Sequence, residues 1–163
     1  MRKIIFLDRD GVINKEIGDY VITWDEFEIN EGLIETLQLF QKHGFEFVII
    51  TNQGCIDKGM CSIQDVEKIM DDLIALLKMN GIVVLDYYYS PHHSDFNNSL
   101  DKKPDSIMLE KAIARFNVDV SASYMIGDHE RDILAGQKVG LKSIKIDSNQ
   151  NLLDIAPQII KIE

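Results

Sequence analysis

Short apolar runs alternate along the chain with longer stretches whose apolar residues fall three and four positions apart. Lys3 to Leu7, Phe45 to Ile50, Ile82 to Tyr89, Ser123 to Ile126 and Leu141 to Ile146 are the short runs. Near-continuous Ile, Val and Phe over such lengths predict strands covered on both faces, as in a parallel sheet. The stretches between them predict amphipathic helices. Asn30 stands where it can cap a helix with Leu33, Ile34, Leu37 and Phe40 on one face, and Gly44 ends it. Ser62 with Asp65 makes a capping-box pattern, after which Val66, Ile69, Met70, Leu73, Ile74 and Leu77 keep helical spacing up to Gly81. Ile107 to Phe116 and Glu130 to Val139 repeat the pattern, the latter closed by Gly140. Leu152 to Ile160 predicts a short last helix, interrupted or started late at Pro157.

Strand and helix in alternation predict an α/β fold: a single doubly wound, Rossmann-like parallel sheet of about five strands with helices on both faces. These elements use nearly the whole chain, so residues 1–163 are expected to form one domain without a cap domain. Val12 to Ile29 and Ser90 to Asp105 are the longest stretches without a clear helix. Neither is long enough to form a domain, and the two are expected to frame an open site.

Composition narrows the setting. The 163 residues are 45% apolar and 27% charged, an ordinary globular mix, with a net charge of -10. Such acidity disfavours nucleic acid and anionic membranes as partners. It leaves room for a phosphate ligand, because one metal ion and a few aimed donors dominate a local site. Only Cys55 and Cys61 carry thiols, which fits a reducing compartment without a disulfide framework. The first apolar run stops at Asp8, too short for a signal-peptide core or a membrane span, so a cytoplasmic protein is expected. The oligomeric state stays open, with a monomer favoured.

In doubly wound sheets ligands sit at the carboxyl ends of the strands. Asp8 and Asp10 follow the first predicted strand, and Thr51 and Asn52 the second. Ser90, His92 and His93 follow the third, with Lys102 and Lys103 at the far end of that loop. Gly127 and Asp128 follow the fourth, and Asp132 comes one helical turn later. Asp8 and Asp128 would repel each other unless a cation lay between them. Two carboxylates, a backbone carbonyl and water make a hard all-oxygen site suited to Mg²⁺. With that charge offset, the Asp8 carboxylate can attack phosphorus. Asp10, past the strand end, can reach the leaving oxygen as general acid and later activate water. Thr51, Asn52 and Lys103 are placed to hold the phosphoryl group, and Gly11 lets the backbone approach it. Singly, each feature has a plainer reading: a loop-start Asp-x-Asp, a strand-end threonine, a surface lysine, an ordinary turn, an acid at a helix N-terminus. Their order, each after its own strand, carries the chemical reading.

Four segments stand out together: Leu7-Asp8-Arg9-Asp10-Gly11-Val12-Ile13-Asn14, Ile50-Thr51-Asn52-Gln53-Gly54, Lys102-Lys103-Pro104, and Gly127-Asp128-His129-Glu130-Arg131-Asp132. In these the chain resembles the haloacid dehalogenase (HAD) superfamily of phosphatases, over about the first 146 residues. The resemblance is nearest to the D-glycero-D-manno-heptose 1,7-bisphosphate phosphatase and histidinol-phosphatase branch. Gly18-Asp19-Tyr20-Val21 and Tyr88-Tyr89-Ser90-Pro91-His92-His93 are similar to that branch too. It implies Asp8 as nucleophile, Asp10 as acid and base, and Mg²⁺ held by Asp8, the Asp10 carbonyl and Asp128. It also implies Thr51 and Lys103 on the phosphoryl group and Asp132 in support. Lys102, His92 and Tyr20 are the expected substrate contacts, with Glu16 to Tyr20, Lys58 and His93 beside them.

The chain departs from the branch in the loop after the third strand. Where those enzymes carry zinc-binding cysteines it has Ser90, Ser99 and Asp101, so a structural zinc is not expected. Lys102 replaces an arginine, exchanging a planar fork for a point charge. Cys55 stands where a glycine is usual, and a buried small thiol is the plain reading. The expected function is a Mg²⁺-dependent phosphomonoesterase acting on a small sugar phosphate or bisphosphate, with histidinol phosphate as the alternative substrate. A noncatalytic phosphoacceptor module fits less well: receiver domains carry their acceptor after the third strand, where this chain has Tyr89-Ser90.

Overall fold

The computed structural model describes residues 1–160; residues 161–163, part of the domain expected over the whole chain, lie outside the described residues. Five strands form one sheet: β1 (Lys3–Leu7), β2 (Phe45–Asn52), β3 (Val84–Ser90), β4 (Tyr124–Gly127) and β5 (Lys142–Lys145). Their order is β3-β2-β1-β4-β5, and every neighbouring pair is parallel. The helices are α1 (Leu33–Lys42), α2 (Ile63–Met79), α3 (Ile107–Phe116), α4 (Glu130–Lys138) and the short α5 (Ala156–Ile159). Single 3-10 turns at Trp24–Glu26, Val120–Ala122 and Leu152–Ile155 complete the elements.

The period of two along β1 builds a core on each side of the sheet. Ile5 and Leu7 face α1, α2 and the C-terminal turns through Leu33, Leu37, Phe40, Met70, Leu73 and Leu152. Ile4 and Phe6 face α3 and α4 through Met108, Leu109, Ala112 and Ala135. All four β1 side chains are fully buried, as a strand covered on both faces requires. The fold is therefore the predicted doubly wound α/β sheet. No cap domain stands over it among the described residues. None of the described helices is long and apolar enough to cross a membrane.

Among the boundaries that differ from the predicted ones, three have physical reasons that the hydrogen bonds show. β3 begins at Val84 rather than Ile82, because Ile82 ends α2: Gly81 N–H donates to the Lys78 carbonyl and Ile82 N–H to the Leu77 carbonyl, both at 3.0 Å. Gly81 has φ +73°, so this is a left-handed helix stop with its hydrophobic residue just beyond. Leu141 ends α4 in the same manner, donating to the Gly136 carbonyl at 3.0 Å, and β5 starts one residue later. Asn30 does not cap α1. Gly32 does, with φ +74°, while the Asn30 amide donates to the Val12 and Asn14 carbonyls at 3.1 and 3.2 Å. Ser62, in contrast, caps α2 as predicted, its hydroxyl accepting from Asp65 N–H at 3.1 Å.

Candidate active site

The strand order reverses around β1, with β2 and β3 on one side and β4 and β5 on the other. That makes the carboxyl ends of β1 and β4 the crevice of a doubly wound sheet. Asp8 leaves β1 there, its N–H donating to the Ile126 carbonyl of β4 at 3.0 Å. Asp128 leaves β4 beside it. Asp8, Asp128 and Asp132 each turn a carboxylate oxygen to within 4.8 Å of the others.

Lys103 binds this cluster together. It is 1% exposed, and its ammonium lies 2.8 Å from Asp8 Oδ1 and 2.6 Å from Asp132 Oδ1. It also donates to the Ile50 carbonyl at 2.8 Å. Asn52 fixes the backbone around it: the Asn52 amide donates to the Lys103 carbonyl at 3.0 Å and accepts from Lys103 N–H at 2.9 Å. Asp132 has a second task, accepting the His129 N–H at 3.0 Å at the start of α4. Thr51, buried at the end of β2, accepts from the Gln53 amide at 2.9 Å.

Burial pushes the Asp8 carboxyl up to about 7; the Lys103 ammonium opposes the rise, and Asp132 and Asp10 add to it. Burial alone would lower Lys103, but Asp8 and Asp132 outweigh it and hold the ammonium charged, above its usual range. Asp10 behaves differently. Burial raises it, yet Arg9 and hydrogen bonds from Arg9, Asn14 and Gln53 prevail and hold it below the usual carboxylate range.

The oxygens of this cluster fit a hard divalent cation. Asp128 Oδ1 is buried without a hydrogen-bond partner among the protein's atoms, which is costly unless a cation takes its lone pairs. Ser148, after β5, donates its hydroxyl to the other Asp128 oxygen. Gly11 leaves the space that Asp128 fills, since a Cβ there would overlap the Asp128 carboxylate.

A cavity of about 340 Å³ opens over Asp8 and Asp10. Glu16, Gly18, Asp19 and Tyr20 wall it on one side, Asn52 and Lys58 on another, and His129 and Arg131 at the start of α4. Of the expected substrate contacts, Tyr20 and Lys58 line it, whereas Lys102, His92 and His93 do not. Apart from Lys103, the segment from 90 to 105 expected to frame the site is turned to other partners. His92 stands between two carboxylates, 3.4 Å from Asp57 and 3.6 Å from Asp101. Ser90 and Ser99 both donate to Asp101 Oδ1, at 3.0 and 2.7 Å. The loop after β2 closes on the same segment through Asp57 N–H to the Pro91 carbonyl and His93 N–H to Asp57, at 3.2 and 2.9 Å. Cys55 is fully buried, in keeping with its plain reading.

The strand-end reading misses Arg9, Asn14, Gln53, Ser148, His129 and Arg131. Ser148 follows the fifth predicted strand, so the same rule extended to that strand finds it. Arg9, Asn14 and Gln53 sit inside the motifs, but nothing in their residue types shows that all three turn to Asp10.

Comparisons with known proteins agree with this geometry. A family model described as HAD-hydrolase-like matches residues 101–156. The chain is 39% identical over 160 residues to a D-glycero-D-manno-heptose-1,7-bisphosphate 7-phosphatase of Chlorobaculum tepidum, covering 91% of this chain and 80% of that one. It is 36% identical over 148 residues to the D-glycero-beta-D-manno-heptose-1,7-bisphosphate 7-phosphatase of Haemophilus ducreyi, covering 87% and 81%. The fold superposes with a TM-score of 0.83 and 26% identity on the D,D-heptose 1,7-bisphosphate phosphatase of B. bronchiseptica, a crystal structure complexed with magnesium and phosphate, over 96% of this chain and 86% of that one. With a fold, a strand-end carboxylate cluster and relatives that all agree, the chain belongs to the HAD superfamily of phosphatases, on the branch of the heptose 1,7-bisphosphate phosphatases.

Proposed function

We propose that the chain is a Mg²⁺-dependent phosphomonoesterase that removes a phosphate from a small sugar bisphosphate, D-glycero-D-manno-heptose 1,7-bisphosphate, through an aspartyl-phosphate intermediate. The observation that carries the reading is the buried Asp8 carboxylate, held by Lys103 and turned toward Asp128. A magnesium ion held by Asp8, Asp128 and the Asp10 carbonyl supplies the positive charge that lets a carboxylate approach a phosphate dianion.

The Asp8 carboxylate attacks phosphorus, and the bond from phosphorus to the ester oxygen breaks. Lys103 stabilises the equatorial charge, with Asn52 on the cavity wall and Thr51 buried next to it at the end of β2. Asp10 gives its proton to the departing alkoxide, which leaves as an alcohol. It then takes a proton from the water that attacks the aspartyl phosphate, releasing inorganic phosphate and restoring Asp8. Asp10 is held ionised by Arg9, so the acid step needs a proton brought with the substrate. The monoanionic form of the phosphate ester carries that proton in, and its charge close to Asp10 raises the carboxyl's proton affinity so that Asp10 takes it. Asp132 supports Lys103 from behind.

Lys58 and Arg131 on the cavity wall offer positive charge to the second phosphate, and Tyr20 packs against the sugar. Lys102 and His92 stand off the cavity, in the loop after β3. That loop is held by the Ser90, Ser99, His92, Asp57 and Asp101 contacts in place of zinc. The whole chain works as one domain, acting on a free metabolite.

The test is phosphate release from an aryl phosphate and from the heptose bisphosphate with Mg²⁺. The unmodified chain is expected to hydrolyse both. Asp8→Asn is expected to hydrolyse neither, and Asp10→Asn to lose at least ~100-fold in turnover. Equal release by the unmodified chain and Asp8→Asn would overturn the nucleophile assignment, and aryl release without heptose release would overturn the substrate.

A further inference from the structure

Arg9 is the largest of the fully buried side chains, and in the reaction above it acts only through Asp10 and meets none of the reacting atoms. It lies between the nucleophile and the acid in sequence, and its hydrogen bonds go to Asp10 and one loop. Nε and Nη2 donate to Asp10 Oδ1 at 3.2 and 2.8 Å, and Nη2 donates to Asp10 Oδ2 at 3.0 Å. Nη2 also donates to the Val21 carbonyl at 3.2 Å, and the guanidinium lies 5.8 Å from the centre of the Phe27 ring. Asn14 and Gln53 complete the hold. Asn14 donates to Oδ1 at 3.0 Å and Gln53 to Oδ2 at 2.9 Å. Both Asp10 oxygens are therefore gripped from two directions.

Such an arrangement is expensive as packing. Taking a guanidinium out of water costs several kcal/mol unless geometry and hydrogen bonds restore it, and Nη1 finds no partner among the protein's atoms. An apolar side chain of similar volume would fill the space without that cost. Stability alone gives no reason for an arginine. Geometry does: Val21 ends the stretch whose Glu16, Gly18, Asp19 and Tyr20 wall the cavity. One guanidinium thus joins the wall against which substrate sits to the carboxylate that must meet its ester oxygen.

Resting on the phosphatase reading above, we infer that Arg9 is a positioning residue: with Asn14 and Gln53 it sets where the Asp10 carboxylate stands relative to a substrate seated on the Glu16–Val21 wall. The consequence is selective. Loss of this hold impairs proton delivery to the leaving group and leaves the attack of Asp8 intact. Nitrophenolate leaves without a proton, whereas a primary alcohol needs one. A purely structural role would slow both esters together.

The experiment is rapid-quench measurement of aspartyl-phosphate formation with Mg²⁺, using 4-nitrophenyl phosphate and a primary alkyl phosphate that the unmodified chain turns over. Arg9→Lys keeps the charge and loses the fork; Gln53→Met removes the grip on Oδ2 from the opposite side. Each is expected to slow aspartyl-phosphate formation from the alkyl ester at least ~10-fold and from the aryl ester less than ~2-fold. Equal slowing of the two esters, or no slowing of either, would overturn the inference. If Arg9→Lys does not fold, Gln53→Met alone decides it. No aspartyl phosphate from the unmodified chain with either ester is a different result, and it removes the phosphatase reading itself.

Discussion

Gly11 shows how much of the site depends on single residues. Its φ is +85°, a left-handed conformation that costs a residue with a side chain of order ~1–3 kcal/mol. Its missing Cβ also leaves the volume that the Asp128 carboxylate occupies. Gly11→Ala therefore carries two penalties. Urea unfolding is expected to show the backbone cost, and Mg²⁺ titration a separate loss of affinity as Asp128 is displaced. A destabilised variant with unchanged Mg²⁺ affinity would show that Asp128 does not depend on this gap. At this scale the sequence was most legible where a residue follows a strand: Asp8, Thr51, Asn52 and Asp128 all stand where the strand-end rule puts them. It was least legible where a side chain chooses among several partners. Lys102 and Lys103 are adjacent and alike, yet only Lys103 enters the carboxylate cluster. Arg9, to which the sequence assigns no role, is fully buried, and its guanidinium is held there by the carboxylate next to it and a carbonyl twelve residues away.

Helix ends were legible where the capping partner is local. Ser62 and Asp65 satisfy each other within one turn, with Ser62 N–H donating to the Asp65 carboxylate at 2.8 Å. Ser62→Ala is expected to cost about 1 kcal/mol of stability, read as a lower urea midpoint at an unchanged slope. Turnover should stay as it was, because α2 carries none of the residues that line the cavity. A fall in turnover at full folding would mean that α2 transmits to the site. Ends that depend on distant partners were not legible. Asn30 has the right type for a cap, but carbonyls of the loop after β1 claim its amide. Ile82 and Leu141 look like first strand residues because they are apolar and adjoin apolar runs. Both close a left-handed helix stop instead, and their burial, 1% and 5% exposed, comes from that role. Hydrophobic pattern cannot separate the two uses, since each buries the side chain next to the sheet.

Across the whole molecule, the concentration of carboxylates at one sheet edge links folding, protons and metal. Asp8 binds its proton with a pKa of about 7 in the folded chain against 3.8 as the ordinary value. Between these values the folded chain keeps a proton that the unfolded chain has lost, so stability falls as pH rises through this window and levels above it. Asp10 has the opposite sign: its lowered pKa adds stability above the ordinary carboxylate range, lost as pH falls through the folded value. That loss lies at lower pH, so the two effects occupy different windows. A cation between Asp8 and Asp128 favours the ionised Asp8, and metal binding then competes with the proton. The melting temperature without metal is expected to fall from pH 5 to pH 8, while the increase produced by a fixed excess of Mg²⁺ grows over the same range and levels off above about 7. Asp8→Asn cannot ionise at this position, so it should lose the excess slope and most of the Mg²⁺ effect together. Charge changes elsewhere on the chain are common to both proteins and cancel in the comparison. A Mg²⁺ shift that is the same at every pH, or one that survives intact in Asp8→Asn, would mean that the metal and the nucleophile do not share this cluster.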